Sequence, residues 1–136
     1  ILSLQAMEAG VDLALKAGIE NIRKKSVLQS EFFLKEVRKK LLPLGYQLES
    51  PTDPEYRGSH ITLSHPGSWQ ICQGLLQGTS KDSKIIPDFR PPHFIRFAMT
   101  PLYTRFEELQ KVIYRLESIV LTKEYQKFKT NKPRVT

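Results

Sequence analysis

This sequence has little cysteine and no long apolar run, and both absences exclude whole classes of protein. Cys72 is its single cysteine, so the chain cannot form an intramolecular disulfide bond. No apolar run approaches the roughly 20 residues that a membrane-spanning helix needs, and no segment has the pattern of a signal peptide. We therefore expect a globular protein of a reducing compartment, with a cytoplasmic location.

Motifs for catalysis and metal binding are also lacking. The sequence contains no phosphate-binding glycine loop and no serine-centred nucleophile elbow. Its histidines lack the spacing of a metal site, and we assign them no role; they are His60, His65 and His93. Cys72 shares one face of a predicted helix with Trp69 and Leu76, which is typical of a buried core residue. We therefore expect neither a metal site nor a catalytic residue within this chain.

The charge that is present is mostly positive. The formal net charge is +7, which favours anionic partners in general but says nothing about the fold. The two tightest basic runs, 23–25 and 38–40, lie in a helical pattern with acids at favourable i,i+4 spacing. This pattern indicates a solvated helix face, and we expect no nucleic-acid partner. A free-standing basic module that binds nucleic acid or a partner protein stays open as the alternative hypothesis.

Apolar periodicity predicts helices and short strands along the chain. Helices are predicted over residues 3–17, 19–42, 68–77 and from 104 to about 122, with a further short turn beyond. Short strands are predicted at 46–48, 59–64, 84–86 and 94–99. In the strand at 59–64, Ile61 and Leu63 alternate with polar residues. This order predicts an α+β fold in which helices cover one face of a short, mostly antiparallel sheet.

Three of the predicted helices carry an apolar stripe along one face. The first stripe is Leu4, Met7, Val11 and Leu15. The second is Ile19, Ile22, Ser26, Phe33, Val37 and Leu41. The last is Phe106, Leu109, Ile113, Leu116 and Val120. Thr104 and Glu107 have the spacing of a capping box, which predicts the start of the last helix.

A permanent charge interrupts the most apolar predicted strand. Arg96 lies inside the run 94–99, and strand alternation puts it on the face opposite its two neighbours. One interpretation is an edge strand whose arginine points to water. The other is an anion clamp, because a guanidinium binds a carboxylate in a bidentate manner and keeps its charge when partly buried. Asp88 and Arg90 are expected to form ion pairs with each other or with neighbours.

Two segments of the chain carry a resemblance to a known family. Residues 57–66, RGSHITLSHP, followed by 85–103, IIPDFRPPHFIRFAMTPLY, resemble the C-terminal part of kynureninases. Residues 1–26 are similar to the segment of that family that crosses from the large domain into the small one. The most specific part is the block Arg96, Phe97, Thr100, Pro101, Leu102 and Tyr103.

The resemblance implies the small C-terminal domain of a fold-type-I enzyme of pyridoxal phosphate (PLP). Kynureninases are homodimers that hydrolyse L-kynurenine to anthranilate and L-alanine, in tryptophan catabolism and NAD biosynthesis. The resemblance implies that Arg96 binds the substrate α-carboxylate. The PLP-binding lysine and the other cofactor ligands of the family belong to the large domain, so no cofactor-binding residue is carried over. We therefore expect this chain alone to bind no PLP and to be inactive.

The resemblance also implies a division of the chain. Residues 1–18 are expected to be an inter-domain helix leading out of a large domain, 19–130 the small α+β domain, and 131–136 a C-terminal tail. The chain opens on apolar residues without an initiating methionine, as expected of a cut through a longer protein. We then expect the first helix to be less well anchored than the rest, with its stripe exposed or covered by self-association.

Overall fold

The computed structural model describes residues 2–79 and 84–129, with side chains from residue 7 onward. Its helices are α1 (Leu2–Ala17), α2 (Ile19–Glu36), α3 (Ser68–Gln77) and α4 (Phe106–Leu121). Its strands are β1 (Gln47–Leu48), β2 (His60–Ser64), β3 (Asp88–Arg90) and β4 (Phe94–Ala98). A short 3-10 turn at Glu124–Lys127 confirms the turn predicted beyond the last helix. The predicted tail, 131–136, and the side chain of Leu4 lie outside the described residues.

The strands described here form one antiparallel sheet in the order β1–β2–β4–β3. β4 therefore lies between β2 and β3 and is not an edge strand. In the register, Ile61 pairs with Phe97 and Leu63 with Ile95, and all four side chains are buried on the helix-covered face. The observed arrangement confirms the α+β prediction, because the alternation of β2 and β4 puts their apolar residues on one face.

The core lies between that face of the sheet and three helices. Helix α2 contributes Phe33 and Leu34, α3 contributes Ile71 and Leu75, and α4 contributes Ile113 and Leu116. Each of these side chains is fully buried. Burial of one such side chain stabilises a fold by about 1.5–3 kcal/mol relative to leaving it in water. Packing in this core therefore fixes the position of the sheet relative to the helices and leaves its other face uncovered by them.

The second helix ends differently from the prediction, which extended it to residue 42. The α-helix ends at Glu36 and continues as a π-helical turn, Val37–Leu41, and a 3-10 turn, Leu42–Leu44. Pro43 has no N–H to donate, and its ring would crowd the carbonyl one turn back, so a regular α-helix cannot continue through it. Gly45, at φ 89°, then reverses the chain into β1.

One predicted strand is wrong in position. Residues 84–86 are not in a strand; the N–H of Ile85 donates instead to the carbonyl of Leu75 at 3.0 Å, at the end of α3. The strand next to β4 is β3, which starts at Asp88, two residues after the end of the predicted strand, and pairs Asp88 with Arg96. Apolar character at 85–86 suggested a strand, but Ile85 packs against the core while Ile86 is exposed, and a contact of this kind leaves no periodic signal.

The start of α4 is shifted by one residue from the predicted capping box. The Glu108 carboxylate accepts the hydrogen bond from the Arg105 backbone N–H at 2.8 Å, in the role predicted for Glu107. The Thr104 hydroxyl accepts from the N–H of Thr100 at 3.1 Å and so closes the preceding turn. Two adjacent glutamates offer the same local pattern, and only the tertiary position of the turn selects between them.

The second and last apolar stripes are buried in their centres, whereas the described side chains of the first stripe, Met7, Val11 and Leu15, are exposed. Cys72 is buried as predicted, but Leu76 is exposed and Leu75 takes its place in the core. Helix α3 approaches α4 so closely that a side chain at Gly74 would lie 2.3 Å from the end of Ile119. This close contact turns the buried face of α3 away from the predicted one. Ile19, at the start of the second stripe, is exposed.

Candidate functional site

Arg96 lies on the open face of the sheet, in the middle of β4. Its register partners are Thr62 on β2 and Asp88 on β3. The helix-covered face is occupied by its neighbours Ile95 and Phe97, both buried. The Arg96 side chain is 37% exposed, so it is neither sealed in the core nor free in solvent. The interpretation of an arginine on an edge strand is therefore wrong, because β4 has a strand on each side.

Arg96, Asp88 and Arg90 form an ion cluster, here called the arginine–aspartate trio. The carboxylate oxygen Oδ2 of Asp88 accepts from Arg96 Nη2 at 2.5 Å and from Arg90 Nε at 2.9 Å. The prediction that Asp88 and Arg90 form ion pairs is thus confirmed, and Arg96 is included in the pairing. The sheet builds the trio, since Asp88 and Arg90 share one face of β3 and Asp88 stands opposite Arg96.

The trio carries a net positive charge. Partial burial raises the pKa of the Asp88 carboxyl, but hydrogen bonds and charge from Arg90 and Arg96 outweigh this and lower the pKa overall. Asp88 is therefore ionised at neutral pH, and one carboxylate faces two guanidinium groups. The sum, one negative charge against two positive charges, leaves the trio able to attract one further anion.

An apolar cavity of about 210 Å³ lies beside the end of β4. Ala98, which shares the open face with Arg96, contributes to its wall together with Ile86 and Tyr103. Ile86 and Tyr103 are both strongly exposed. The rest of its lining includes Phe33, Phe97 and Leu109, which belong to the core between the sheet and the helices, and no residue of the trio lines it.

The histidines do not join the trio. His65 is buried, its Nδ1 accepts from the Gly67 N–H at 2.9 Å, and its ring packs against Tyr46 and Tyr125. Burial lowers the pKa of His65, against a smaller raising effect of a hydrogen bond with the Leu44 backbone. These contacts make His65 a packing residue. His60 and His93 are exposed.

The other candidates for chemistry are structural. Burial, with a smaller effect of the Asp88 charge, raises the pKa of the Cys72 thiol to about 12, so Cys72 is not a nucleophile at neutral pH. No group of three potential metal ligands comes together within residues 2–79 and 84–129. Over the same residues, none of the helices combines the length and hydropathy that a membrane crossing requires.

Two buried arginines were not predicted from the sequence. Arg57 donates to the carbonyls of Pro51 and Thr52 and forms an ion pair with Glu31 on α2. No local pattern announces this contact, because Arg57 lies in a loop. It closes the loop between β1 and β2 onto α2.

Arg115 is the second buried arginine, and only 3% of its side chain is exposed. It binds both carboxylate oxygens of Glu124 at 2.7 Å. Hydrogen bonds from Arg115 lower the pKa of Glu124, against the smaller opposing effect of partial burial. A signal existed in this case, because Arg115 stands at helical spacing from the apolar Val112 and Ile119.

The region of the chain that contains the trio and the sheet also matches a known protein family. Residues 22–116 match the family described as "Kynureninase C-terminal domain", and this range contains the trio and the whole sheet. A kynureninase of Geobacillus thermodenitrificans is 36% identical over 128 residues, which cover 94% of this chain and 29% of the relative. Kynureninases of Bacillus anthracis and Shouchella clausii are 32% and 33% identical over 132 residues, 97% of this chain and 30% of each relative. The chain thus spans about 30% of the length of these relatives.

Proposed function

This chain belongs to the kynureninase family through its C-terminal domain, and we propose that it serves as that domain in a PLP-dependent hydrolase of L-kynurenine. The products would be anthranilate and L-alanine. The proposal includes a preceding large domain, a homodimeric cytoplasmic enzyme and a place in tryptophan catabolism. Its support is the family match over residues 22–116 and the relatives, which bear the name kynureninase.

Within this proposal, Arg96 binds the substrate α-carboxylate. The observation that carries this role is the position of Arg96 on the open, uncovered face of a central strand, in a trio with net positive charge. A guanidinium held by a strand with partners on both sides can fix the orientation of a carboxylate. Orientation of the substrate is then the contribution of this domain to catalysis, since a fixed carboxylate restricts which bonds at the α-carbon can react.

The cofactor does not fit the residues of this chain. A lysine that forms a Schiff base is usually activated by desolvation or by a neighbouring cation. All lysines among the described residues are exposed or only half-buried. PLP would therefore be held by the preceding domain, where it supplies the electron sink for the reaction.

Substitution of Arg96 tests the proposed role in the complete, PLP-loaded enzyme. Arg96→Lys keeps the charge but loses the planar fork, and it should lower kcat/KM for kynurenine by about 10- to 150-fold, the equivalent of a lost charge-assisted hydrogen bond. Arg96→Ala should lower it further. PLP content and far-UV circular dichroism should stay near those of the unmodified enzyme. Arg38→Ala, at an exposed position of the π-helical turn, is the matched control.

A second experiment tests the assignment of the cofactor to another domain. The 136-residue chain is mixed with PLP and reduced with borohydride, and the modified lysines are mapped by mass spectrometry. We expect scattered labelling below one equivalent. One stoichiometrically labelled lysine would contradict the assignment. If kcat/KM is unchanged in both Arg96 variants, the carboxylate role of Arg96 is wrong. If the complete protein does not turn over kynurenine at all, the alternative of a basic binding module becomes the better hypothesis.

A further inference from the structure

Asp88 binds the guanidinium group of Arg96, the group to which the proposed function assigns the substrate carboxylate. We propose that Asp88 is a built-in competitor for the ligand carboxylate, which leaves Arg96 when the ligand binds and is then retained by Arg90. This inference rests on the proposed role of Arg96. In this role, Asp88 and Arg90 determine how tightly Arg96 binds an anion and which anions it prefers.

The geometry of the contact makes Asp88 a replaceable partner. Asp88 binds Arg96 through one oxygen, Oδ2, and reaches one nitrogen, Nη2. A carboxylate that approaches the guanidinium in a bidentate manner forms two parallel hydrogen bonds and would be preferred over this single contact. The Asp88 side chain is 44% exposed and is not part of the core, so it can move aside without creating a cavity.

Arg90 gives the displaced carboxylate a second partner. Its Nε already donates to the same oxygen of Asp88 at 2.9 Å, on the solvent side of the trio. When Arg96 turns to a ligand, Asp88 keeps this bond and is not left as an uncompensated charge. If Arg90 were replaced, an Asp88 carboxylate displaced from Arg96 would keep neither of its two ion-pair partners.

The charge of the trio also favours one class of ligand. Two guanidinium groups and one carboxylate leave a net charge of +1, and a monocarboxylate brings it to zero. A second carboxylate on the ligand would have to approach Asp88, which carries the same sign. The trio should therefore select a ligand that presents one carboxylate to Arg96 over a dicarboxylate.

Two substitutions that each remove one charge should change binding in opposite directions. In the complete, PLP-loaded enzyme, Asp88→Asn removes the competing charge and should lower the inhibition constant of acetate and the KM for kynurenine. Arg90→Gln leaves Asp88 with Arg96 as its remaining guanidinium partner and should raise both. We expect changes of about 2- to 5-fold, the range of an exposed ion pair. Asp88→Ser provides a second variant if Asp88→Asn folds poorly.

The outcomes separate this inference from the proposed function. If Asp88→Asn and Asp88→Ser raise the inhibition constant of acetate or leave it unchanged, Asp88 merely supports Arg96 and the competitor role is wrong, even where Arg96→Ala abolishes efficient turnover. If Arg96→Ala changes neither constant, the proposed function fails first and this inference with it. Thermal unfolding midpoints of all variants establish that each comparison is made between folded enzymes.

Discussion

Helices α1 and α4 have the same length, 16 residues, but opposite relations to the rest of the molecule. Helix α4 packs against α2 and α3 and buries one face, whose members are Leu109, Ile113, Arg115, Leu116 and Ile119. Helix α1 contacts α2 at their junction, and its described apolar side chains Met7, Val11, Leu13 and Leu15 stay exposed. Helical periodicity in the sequence therefore does not determine whether a helix is anchored.

The difference follows from what each apolar face can contact. A short helix in water is only marginally stable by itself, and most of its stability in a protein comes from packing of its apolar face. Helix α4 has the sheet-side core as its partner. Under the proposed function, the face of α1 would have the preceding domain as its partner. Exposed apolar side chains on one helix are typical of a surface that another protein segment covers.

Hydrogen exchange should give the largest contrast between the two helices. Amides in α4 should exchange only on global unfolding, whereas amides in α1 should exchange by local opening. For a monomeric sample we expect exchange in α1 to be faster by at least about 1,000-fold, since domain stabilities of about 5–15 kcal/mol protect the core. Equal protection of residues 7–16 and 109–119 in a monomer would contradict the expected difference in anchoring between α1 and α4.

A matched pair of leucines tests the same contrast by substitution. Leu116→Ala removes a fully buried side chain from α4 and should lower the free energy of unfolding by about 2–5 kcal/mol. Leu15→Ala removes a side chain that is 72% exposed in α1 and should change it by less than about 0.5 kcal/mol. Urea unfolding followed by circular dichroism measures both. A large loss from Leu15→Ala would mean that α1 is anchored in solution, for example by self-association.

Glu124 anchors the end of α4 through the buried guanidinium of Arg115, and this contact should depend on pH. Glu124→Gln removes the carboxylate that binds the buried Arg115 guanidinium through both oxygens, and it should lower the free energy of unfolding at pH 7 by about 3 kcal/mol. Because the folded-state pKa of Glu124 is lowered, its contribution is present above the ordinary glutamate pKa and is lost as the pH falls through the folded value.

The measurement is urea unfolding at pH 7 and pH 3 for the wild type and the variant. The difference in stability between the two proteins should shrink at the lower pH. Glu8→Gln, an exposed glutamate on α1, is the control and should show little difference at either pH. A difference that stays constant with pH would show that the Glu124 carboxylate charge is not what stabilises the end of α4.

The smallest expected effect concerns a glycine within α1. A side chain at Gly10 would meet no atom within 4 Å, so Gly10→Ala should strengthen the helix by about 1 kcal/mol through helix propensity alone. Amide exchange in α1 should slow by about 5-fold while the thermal midpoint of the core stays unchanged. Gly74→Ala, where α3 meets Ile119 of α4, should instead destabilise the protein by about 1–3 kcal/mol. A higher midpoint from Gly10→Ala would show that α1 unfolds together with the core.

The amino-acid sequence by itself determined the α+β class, the buried faces of β2 and β4 and the centre of the α4 stripe, because periodicity and burial coincide there. It also placed Arg96 on the face of its strand opposite Ile95 and Phe97. The packed structure was needed to show that β4 is a central strand, that Asp88 stands opposite Arg96, and that Arg57 is buried. Strand order, register and contacts between distant segments depend on how separate elements pack together, and no local pattern of residues encodes them.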